Sequence, residues 1–421
     1  MTLPSLAIRS LLNRRFAIGL TVLTIALSIA LLVLVEQLRS EVREGFYRSV
    51  SGTDLIVGAR TSPVQLLLYS VFGLGEPTNN VSWETFNALA DTAEVAWAVP
   101  ISLGDAHEGY RVVGTQVQFF DHYRYADRQP LAFAQGERFS DLFDVVLGHQ
   151  VARNLGYSLG DQIVLAHGTA NVSLQQHDNL PFRISGILAP TGTPIDQQLY
   201  ISLTAHEAIH IGWQNGMPRP GADPTDAQAR ALAERLTPDS VTAILLGLTS
   251  RAAVFGLQRR VNDYRQEALS AVLPGIALQQ LWRITGLAEQ ILRVVAGLVV
   301  LSGLLGMLTV LLTTLNERRR EMAILRANGA RPIQIAALLI FEAGLLAAAG
   351  ILLGLILAVA VQAIAAPWLL STVGVNLAVG WPSALLWKIL AGIWLAGLVV
   401  GAVPALMAYR RTLADGMQVR M

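Results

Sequence analysis

The chain contains no cysteine, and only one of its 421 residues, Lys388, is a lysine. The missing cysteine excludes disulfide bonds and thiolate metal sites. Lys388 lies in a Leu- and Trp-rich segment rather than after a glycine loop, so no phosphate-binding GxxxxGK[ST] motif exists. Charged residues are also scarce, at 14%, and the net charge of +1 gives no reason to expect nucleic acid as a partner. The chain is therefore not expected to hydrolyse ATP through a P-loop of its own.

Hydrophobic residues, in contrast, make up 53% of the chain. Four apolar stretches reach the roughly 20 residues that a membrane-spanning helix needs. The predicted spans are residues 16–35, 287–315, 335–365 and 385–407. The first is read as an uncleaved anchor, because its apolar run is longer than the 7–15 residues typical of a signal peptide.

Arginines cluster beside these spans at three places that fall on one side of the membrane. By the positive-inside rule that side is the cytoplasm. We therefore predict a multi-pass protein of the bacterial inner membrane with both termini in the cytoplasm. The cytoplasmic segments would be an amphipathic N-terminus, a loop and a tail, at 1–15, 316–334 and 408–421. A short loop, 366–384, would lie in the periplasm.

Residues 36–286 have the mixed composition of a folded domain and are predicted to lie in the periplasm. Short β-rich runs alternate with helical segments, which favours an α+β domain. The predicted strand segments are 54–58, 95–103, 144–148, 162–167, 182–188 and 198–203. Helical patterns at 36–50 and 251–284 lead into the membrane at both ends of the domain. Such extensions are expected of stalks that transmit movement, although a passive tether would have the same pattern.

The loop NERRREMAILRANGARP, residues 316–332, carries the most specific pattern in the chain. Its five arginines and two glutamates give a local charge of +3. Met322 and Leu325 lie three residues apart, which indicates a short amphipathic helix at the membrane surface. Gly329 is suited to a left-handed helix stop, and Pro332 to the first turn of the next helix. A merely solvated, positively charged loop is the alternative reading.

This loop resembles the signature of FtsX-type permeases of the MacB and LolC/LolE group of ABC transporters, approximately E-R-x-x-E-aliphatic-A-x-x-R-A-aliphatic-G-A. The residues that match are Glu317, Arg318, Glu321, Met322, Ala323, Arg326, Ala327, Gly329 and Ala330. Asn328 departs from the pattern, since an aliphatic residue is usual there. The order of segments along the whole chain is also similar to that family, with four membrane helices and a large outer domain after the first.

The resemblance implies a permease subunit that is not itself an enzyme and holds no cofactor. A separate cytoplasmic ABC ATPase, with ATP and Mg, would dock on the loop and move the periplasmic domain through the stalks. The expected docking residues are Glu317, Arg318, Arg320, Glu321, Ala323, Arg326, Gly329 and Ala330. Two permease chains per complex are implied, a homodimer being favoured and a heterodimer left open. A periplasmic or outer-membrane partner and the surrounding lipid bilayer complete the expected contacts. The sequence does not identify the cargo, for which lipoprotein extraction and substrate export are both open.

Small residues in the membrane spans favour close helix packing. The expected packing residues are Gly297, Gly303, Gly306, Gly350, Gly354 and Glu342. Glu342 is costly in a membrane unless it faces protein or water, and we interpret it as structural rather than as part of a proton relay.

The stretch HEAIH, residues 206–210, has the HExxH spacing of zinc metalloproteases, in which His206 and His210 would bind zinc. An apparent T-x-x-E capping box at Thr204 and Glu207, and a glycine soon afterwards at Gly212, indicate instead the start of a short helix. A metalloprotease, or a membrane-anchored zinc-binding protein, is therefore only the alternative hypothesis, and no metal site is favoured. A passive anchored scaffold is a third.

Overall fold

The computed structural model describes residues 15–169, 172–176, 179–214, 217–218, 225–233, 235–317, 319–373 and 382–415. The chain divides into two compact units. The membrane unit comprises Met1–Glu41, Gly286–Trp368 and Leu377–Met421, and the ectodomain comprises Val42–Thr285 with Leu369–Asn376. The ectodomain is thus inserted after the first membrane helix.

Four long helices of the described residues are apolar enough to span a bilayer. They are α1 (Arg15–Arg48), α9 (Pro274–Glu317), α11 (Pro332–Val373) and α12 (Ala384–Asp415). Each contains a predicted span, and their most apolar windows have mean hydropathies of 2.2 to 2.8. They extend beyond the predicted spans because the polar segments at their ends, such as 36–48, continue the same helical backbone. The predicted helical pattern after the first span is therefore confirmed up to Arg48.

The ectodomain is built on a mixed sheet that runs in the order β18-β1-β17-β3-β4-β13-β8-β12-β7. Its main strands are β1 (Leu55–Ala59), β3 (Val95–His107), β4 (Tyr110–Thr115), β7 (Phe133–Gly136), β8 (Asp144–Leu147), β12 (Phe182–Leu188), β13 (Gln198–Ser202), β17 (Ala243–Leu248) and β18 (Leu269–Val272). Strand β13 pairs in parallel with β4, and β12 with β8; the other neighbours are antiparallel. Strands β9 (Gln162–Ile163), β10 (Ala166–Thr169) and β11 (Val172–Gln176) attach beside this path.

Short strands and helices complete the domain. The remaining strands are β2 (Val81–Ser82), β5 (Arg124–Tyr125), β6 (Gln129–Pro130), β14 (Trp213–Gln214), β15 (Met217–Pro218) and β16 (Ser240–Val241). The helices are α2 (Pro63–Phe72), α3 (Trp83–Ala90), α4 (Gln118–His122), α5 (His149–Leu155), α6 (Leu203–Ala208), α7 (Asp226–Ala233) and α8 (Val254–Asn262). Two 3₁₀ turns, Pro194–Gln197 and Arg251–Ala253, accompany them.

The sheet is buried on both faces, because side chains alternate between two cores along each strand. In β1, Ile56 points into one cluster, whereas Leu55 and Val57 belong to another. Strand β8 repeats the pattern, with Val146 in the first cluster and Val145 on the opposite side. Burial of each such side chain contributes about 1.5–3 kcal/mol. Two-sided burial explains why these strands read as continuous apolar runs in the sequence.

The segment 251–284 corrects one prediction. The sequence pattern predicts a helical stretch there, but the segment contains helix α8, the edge strand β18 and the start of α9, with Pro274 at the junction of β18 and α9. Pro274 begins a helix rather than interrupting one, which suits a residue without an N–H group. Strand β18 escaped prediction because its four residues are too short to show a period.

Both membrane-proximal helical segments of the ectodomain pack on its core through aromatic side chains. Phe46, near the end of α1, stacks on Phe72 with ring centroids 4.3 Å apart and meets Trp282 of α9 edge-on at 5.4 Å. Arg43 lies over the same Trp282 ring, 5.7 Å from its centroid. Aromatic pairs of this kind add about 0.5–1.5 kcal/mol to the burial of their area. Within the ectodomain the two segments are therefore anchored to each other and to helix α2.

Candidate functional site

The predicted coupling segment forms a helix of its own, α10 (Arg319–Ala327), between α9 and α11. Of the expected docking residues, Arg318 lies outside the described residues. The side chains of Glu317, Arg320, Glu321 and Ala323 are likewise not described. The backbone of the segment apart from Arg318, the side chain of Met322 and the side chains from Ile324 onward are described.

Helix α10 ends in a Schellman motif centred on Gly329. The N–H of Ala330 donates to the carbonyl of Leu325 at 3.0 Å, and the N–H of Gly329 donates to that of Arg326 at 2.9 Å. Gly329 has φ +88°, a left-handed conformation that costs a residue with a Cβ about 1–2 kcal/mol. Pro332 then begins α11. The predicted glycine stop and proline start are therefore confirmed, and they fix where α10 ends and the chain turns into the membrane.

One face of α10 is attached to the membrane helices. Met322 packs against a small buried cluster formed by Leu315 of α9, Leu339 of α11, and Ala405 and Ala408 of α12. Ile324, in contrast, is 54% exposed. The segment is therefore a short helix with one face packed on the membrane helices, rather than a fully solvated loop.

Three of the predicted packing glycines lie at contacts with α1. A Cβ on Gly354 would lie 2.7 Å from the carbonyl oxygen of Ala26, and one on Gly350 would lie 2.5 Å from Ile25 Cγ2. A Cβ on Gly303 of α9 would lie 3.0 Å from Ser28 Oγ. The absence of side chains here lets the helix backbones approach closely, as in other small-residue membrane interfaces.

The other two predicted glycines do not pack against any residue that the structure describes, which corrects the expectation. A Cβ on Gly297 or Gly306 would meet no neighbouring atom within 4 Å in the described part of the chain. Contacts between α11 and α12 instead use glycines that the prediction omitted, Gly344, Gly397 and Gly401. Which face of a membrane helix points inward depends on the rotation of the packed helix, and glycine spacing alone does not give it. Glu342 is buried, with 1% of its surface exposed, within the membrane unit.

An ion-pair network that the sequence did not reveal joins α1 to α9 where both helices become polar. Arg39 of α1 contacts Glu36 on its own helix, with Nε to Oε2 at 3.2 Å, and Glu289 of α9, with Nη1 to Oε2 at 3.4 Å. Arg293 of α9 lies 3.8 Å from Glu36. Charged pairs that are partly shielded from water are worth more than exposed ones, so this network holds the two helices side by side.

The HEAIH stretch corresponds to helix α6 and the residues after it. The capping-box prediction is wrong, because the N-cap is Ser202, whose Oγ accepts from the N–H of Ala205 at 3.0 Å. Thr204 lies within the first turn. The predicted early end of the helix is confirmed, since α6 stops at Ala208 and Gly212 adopts φ +81°. His206 therefore lies on a short helix, and His210 lies just beyond it.

The fold brings His206 and His210 to Asp105 of β3 and His167 of β10. His210 Nε2 and His167 Nδ1 each lie 3.4 Å from Asp105 Oδ1, and His206 Nε2 lies 3.6 Å from Asp105 Oδ2. Asp105 is buried, and the three imidazoles are largely buried. Burial opposes protonation of His210, but Asp105, the His206 carbonyl and Glu207 outweigh it and raise the pKa of His210 above its usual value. Neither Asp105 nor His167 was singled out from the sequence, because nothing local marks them.

Comparison with known proteins agrees with this division of the chain. Residues 18–234 match the family model described as the MacB-like periplasmic core domain, and residues 293–413 match the FtsX-like permease C-terminal model. The first match alone spans more than half of the chain. The chain belongs to the MacB-type ABC transporter permeases.

Individual known proteins are also similar to parts of the chain. The macrolide export ATP-binding/permease protein MacB of Nitrosomonas europaea is 23% identical over 334 residues, which cover 74% of this chain and 45% of that protein. The chain thus spans less than half the length of that relative. The periplasmic region of MacB from Actinobacillus actinomycetemcomitans is 13% identical, with 56% of this chain and 94% of that one covered and a TM-score of 0.34. The extracellular domain of YknZ, a noncanonic ABC-type transporter from Gram-positive bacteria, is 12% identical, with 52% and 98% covered and a TM-score of 0.30.

Membership of the MacB-type permeases is consistent with the resemblance found in the coupling loop. It makes the chain a transmembrane permease component with a MacB-like domain between its first and second membrane helices. A metalloprotease is accordingly not the favoured class.

Proposed function

We propose that this permease couples ATP hydrolysis by a separate cytoplasmic ATPase to movement of its ectodomain. The observation that carries the proposal is helix α10, which is held between α9 and α11 and packs through Met322 on the ends of three membrane helices. A force applied to α10 is transmitted to those helices because the buried contacts resist independent movement. MacB of Nitrosomonas europaea is described as an ATP-binding/permease protein, which supports an ATPase as the source of that force.

Helices α1 and α9 are the elements through which the movement would pass. Each has residues in both units, since α1 runs from Arg15 to Arg48 and α9 from Pro274 to Glu317. In the membrane unit the Arg39–Glu289 pair ties them together, and in the ectodomain Phe46 and Trp282 do so. The proposal therefore has the two helices move as a pair, with no substrate pore through the membrane unit.

The proposal includes the topology and the partners. The arginine-rich segments, α10 among them, face the cytoplasm of a bacterial inner membrane, and the ectodomain faces the periplasm. ATP and Mg bind to the ATPase and not to this chain. Two permease chains work together, as a homodimer or a heterodimer, on a lipoprotein or on a substrate exported with a periplasmic or outer-membrane partner.

Co-purification with charge-reversed variants tests the ATPase coupling. The tagged chain is expressed in its native host as wild type, as Glu321→Lys or as Arg326→Glu, and is extracted in mild detergent. The ATPase that accompanies each protein is then measured. Charge reversal at a docking surface replaces attraction by repulsion, which typically costs several kcal/mol. We therefore expect the ATPase to accompany the wild type and to be lost at least tenfold in both variants.

The matched control is Arg138→Glu in the ectodomain, an exposed arginine that pairs with Asp121 at 2.9 Å. It makes the same charge change as Arg326→Glu, but away from α10, and is expected to retain the ATPase. Equal retention in all four proteins would refute docking at α10. No ATPase with any of them, under several mild detergents, would instead support an ectodomain that acts alone.

A further inference from the structure

We propose that Asp105, His167 and His210 bind one divalent transition-metal ion of the zinc class in the ectodomain, with His206 as an additional ligand. The proposal goes beyond the coupling function and does not depend on it. One nitrogen or oxygen from each of Asp105, His167 and His210 lies within 4.8 Å of the other two. Imidazole nitrogen and carboxylate oxygen are the donors that such ions prefer when no thiolate is present.

The separations of the donor atoms are those of a coordination polyhedron. His167 Nδ1 and His210 Nε2 are 3.2 Å apart, and each lies 3.4 Å from Asp105 Oδ1. In a tetrahedral site with bonds of about 2.0–2.1 Å, neighbouring ligands are about 3.3–3.4 Å apart. Charge-assisted hydrogen bonds between imidazolium and carboxylate are shorter, at about 2.7–2.9 Å. The three donors therefore form a triangle of the size that surrounds a metal ion.

The tautomer of His210 leaves the correct nitrogen available. Its Nδ1 lies 2.7 Å from the carbonyl oxygen of His206. A carbonyl only accepts, so Nδ1 carries the proton, and in the neutral ring Nε2 keeps its lone pair directed at Asp105 and His167. A second hydrogen bond of this kind commonly orients metal-binding histidines.

His206 borders the triangle and lacks another explanation. Both of its ring nitrogens are buried and form no hydrogen bond within the described part of the chain. Leaving a buried ring nitrogen without a partner costs free energy, and coordination of Nε2 would remove that cost at one of the two nitrogens. His107 differs, because its two nitrogens contact the Val164 carbonyl and the Tyr157 hydroxyl at 2.7 and 2.9 Å. The His107 ring is thereby satisfied without a metal.

Strand pairing and strand irregularities bring the side chains of this Asp–His cluster together. His167 lies directly opposite Asp105 in the β10–β3 pair. The β3–β4 register shifts between Leu103 and Ala106, and the β10–β11 register shifts between His167 and Gly168. Such bulges redirect side chains and are frequent beside functional sites. Gly114 of β4 makes room for His206, since a Cβ there would lie 3.0 Å from His206 Cβ.

The test measures Zn²⁺ binding by the full chain in detergent. The protein is purified without a polyhistidine tag, stripped with a chelator, and titrated with zinc sulfate against a chromophoric competitor. We expect one ion per chain. His167→Ala and His210→Ala should each weaken binding at least about 100-fold, more than loss of an outer-shell contact does, and His206→Ala at least about 10-fold. Cobalt(II) should give the intense visible bands of a tetrahedral site in the wild type but not in His167→Ala or His210→Ala.

The matched control is His122→Ala, which removes another ectodomain histidine, one that stacks on Trp97 away from the cluster. It is expected to keep the stoichiometry and affinity of the wild type. Far-ultraviolet circular dichroism of each metal-free variant checks that the fold is retained, and we expect truncation of His167, the most exposed of the three imidazoles, to disturb the fold least. Zinc bound at less than about 0.2 per chain, or equally well by His167→Ala and His210→Ala, overturns the site. ATPase co-purification is a separate readout, so failure of one proposal is distinguishable from failure of the other.

Discussion

At the scale of single residues, the buried carboxylate of Asp144 ties together strand β12 and the loop that precedes strand β8. It begins β8 with 1% of its surface exposed. Its Oδ1 accepts from Arg183 Nη2 of β12 at 2.8 Å, and its Oδ2 from the N–H groups of Asp141 and Ser140 at 2.9 and 3.1 Å. Burial by itself would raise the pKa of Asp144, but these N–H groups and the Arg183 guanidinium outweigh it and lower that pKa.

The lowered pKa of Asp144 fixes the sign of a pH effect. Because the carboxylate is favoured in the folded state, its contribution to stability is complete above the unfolded pKa of about 3.9 and is lost as pH falls through the lower folded value. Asp144→Asn should reduce the free energy of unfolding by about 2–3 kcal/mol at pH 7 and by less below about pH 3. Thermal unfolding of the full chain at both pH values measures this.

The exposed Asp226, paired with Arg230 on one helix turn, is the control, and Asp226→Asn should change stability by less than about 0.5 kcal/mol at either pH. A loss for Asp144→Asn that is the same at both pH values would contradict the argument.

At the scale of elements, close helix packing rests on a few glycines. Gly354→Ala places a Cβ 2.7 Å from a backbone carbonyl of α1, which cannot rotate away. We expect the variant to lose about 1–3 kcal/mol of stability through overpacking. Gly392→Ala on α12 is the control, since its Cβ would meet no neighbouring atom within 4 Å among the residues that the structure describes. It should be neutral or up to about 1 kcal/mol more stable, because alanine favours helix. Reversible unfolding in sodium dodecyl sulfate compares the two, and an equal effect would show that α1 and α11 do not pack as described.

At the scale of the whole molecule, the absence of cysteine makes the membrane topology directly measurable. Ala134 in the ectodomain and Ala327 at the end of α10 are both exposed, so Ala134→Cys and Ala327→Cys each introduce a single accessible thiol. If the arginine-rich segments face the cytoplasm, a membrane-impermeant maleimide should label the first in intact spheroplasts and the second only after permeabilisation. Labelling of both before permeabilisation, or the reverse order, would contradict the proposed orientation. The cysteine-free wild type is the control for background labelling.

The sequence predicted the elements that depend on neighbouring residues. The four membrane helices follow from the length of apolar runs, strands such as β12 from short β-rich segments, and the end of α10 from Gly329 and Pro332. The predicted capping box at Thr204 is wrong, because Ser202 caps α6. Both residues have hydroxyls suited to capping, and the end of strand β13 decides which one is used.

By itself, then, the sequence determined the membrane class, the insertion of an α+β domain after the first helix and the end of helix α10, because each is encoded within a continuous segment. Only the tertiary structure decided which glycines contact α1, which charges join α1 to α9, and that Asp105, His167, His206 and His210 converge. Those contacts join residues distant in the chain. Helix rotation and strand register set them, and both are chosen by burial of whole faces rather than by any local pattern.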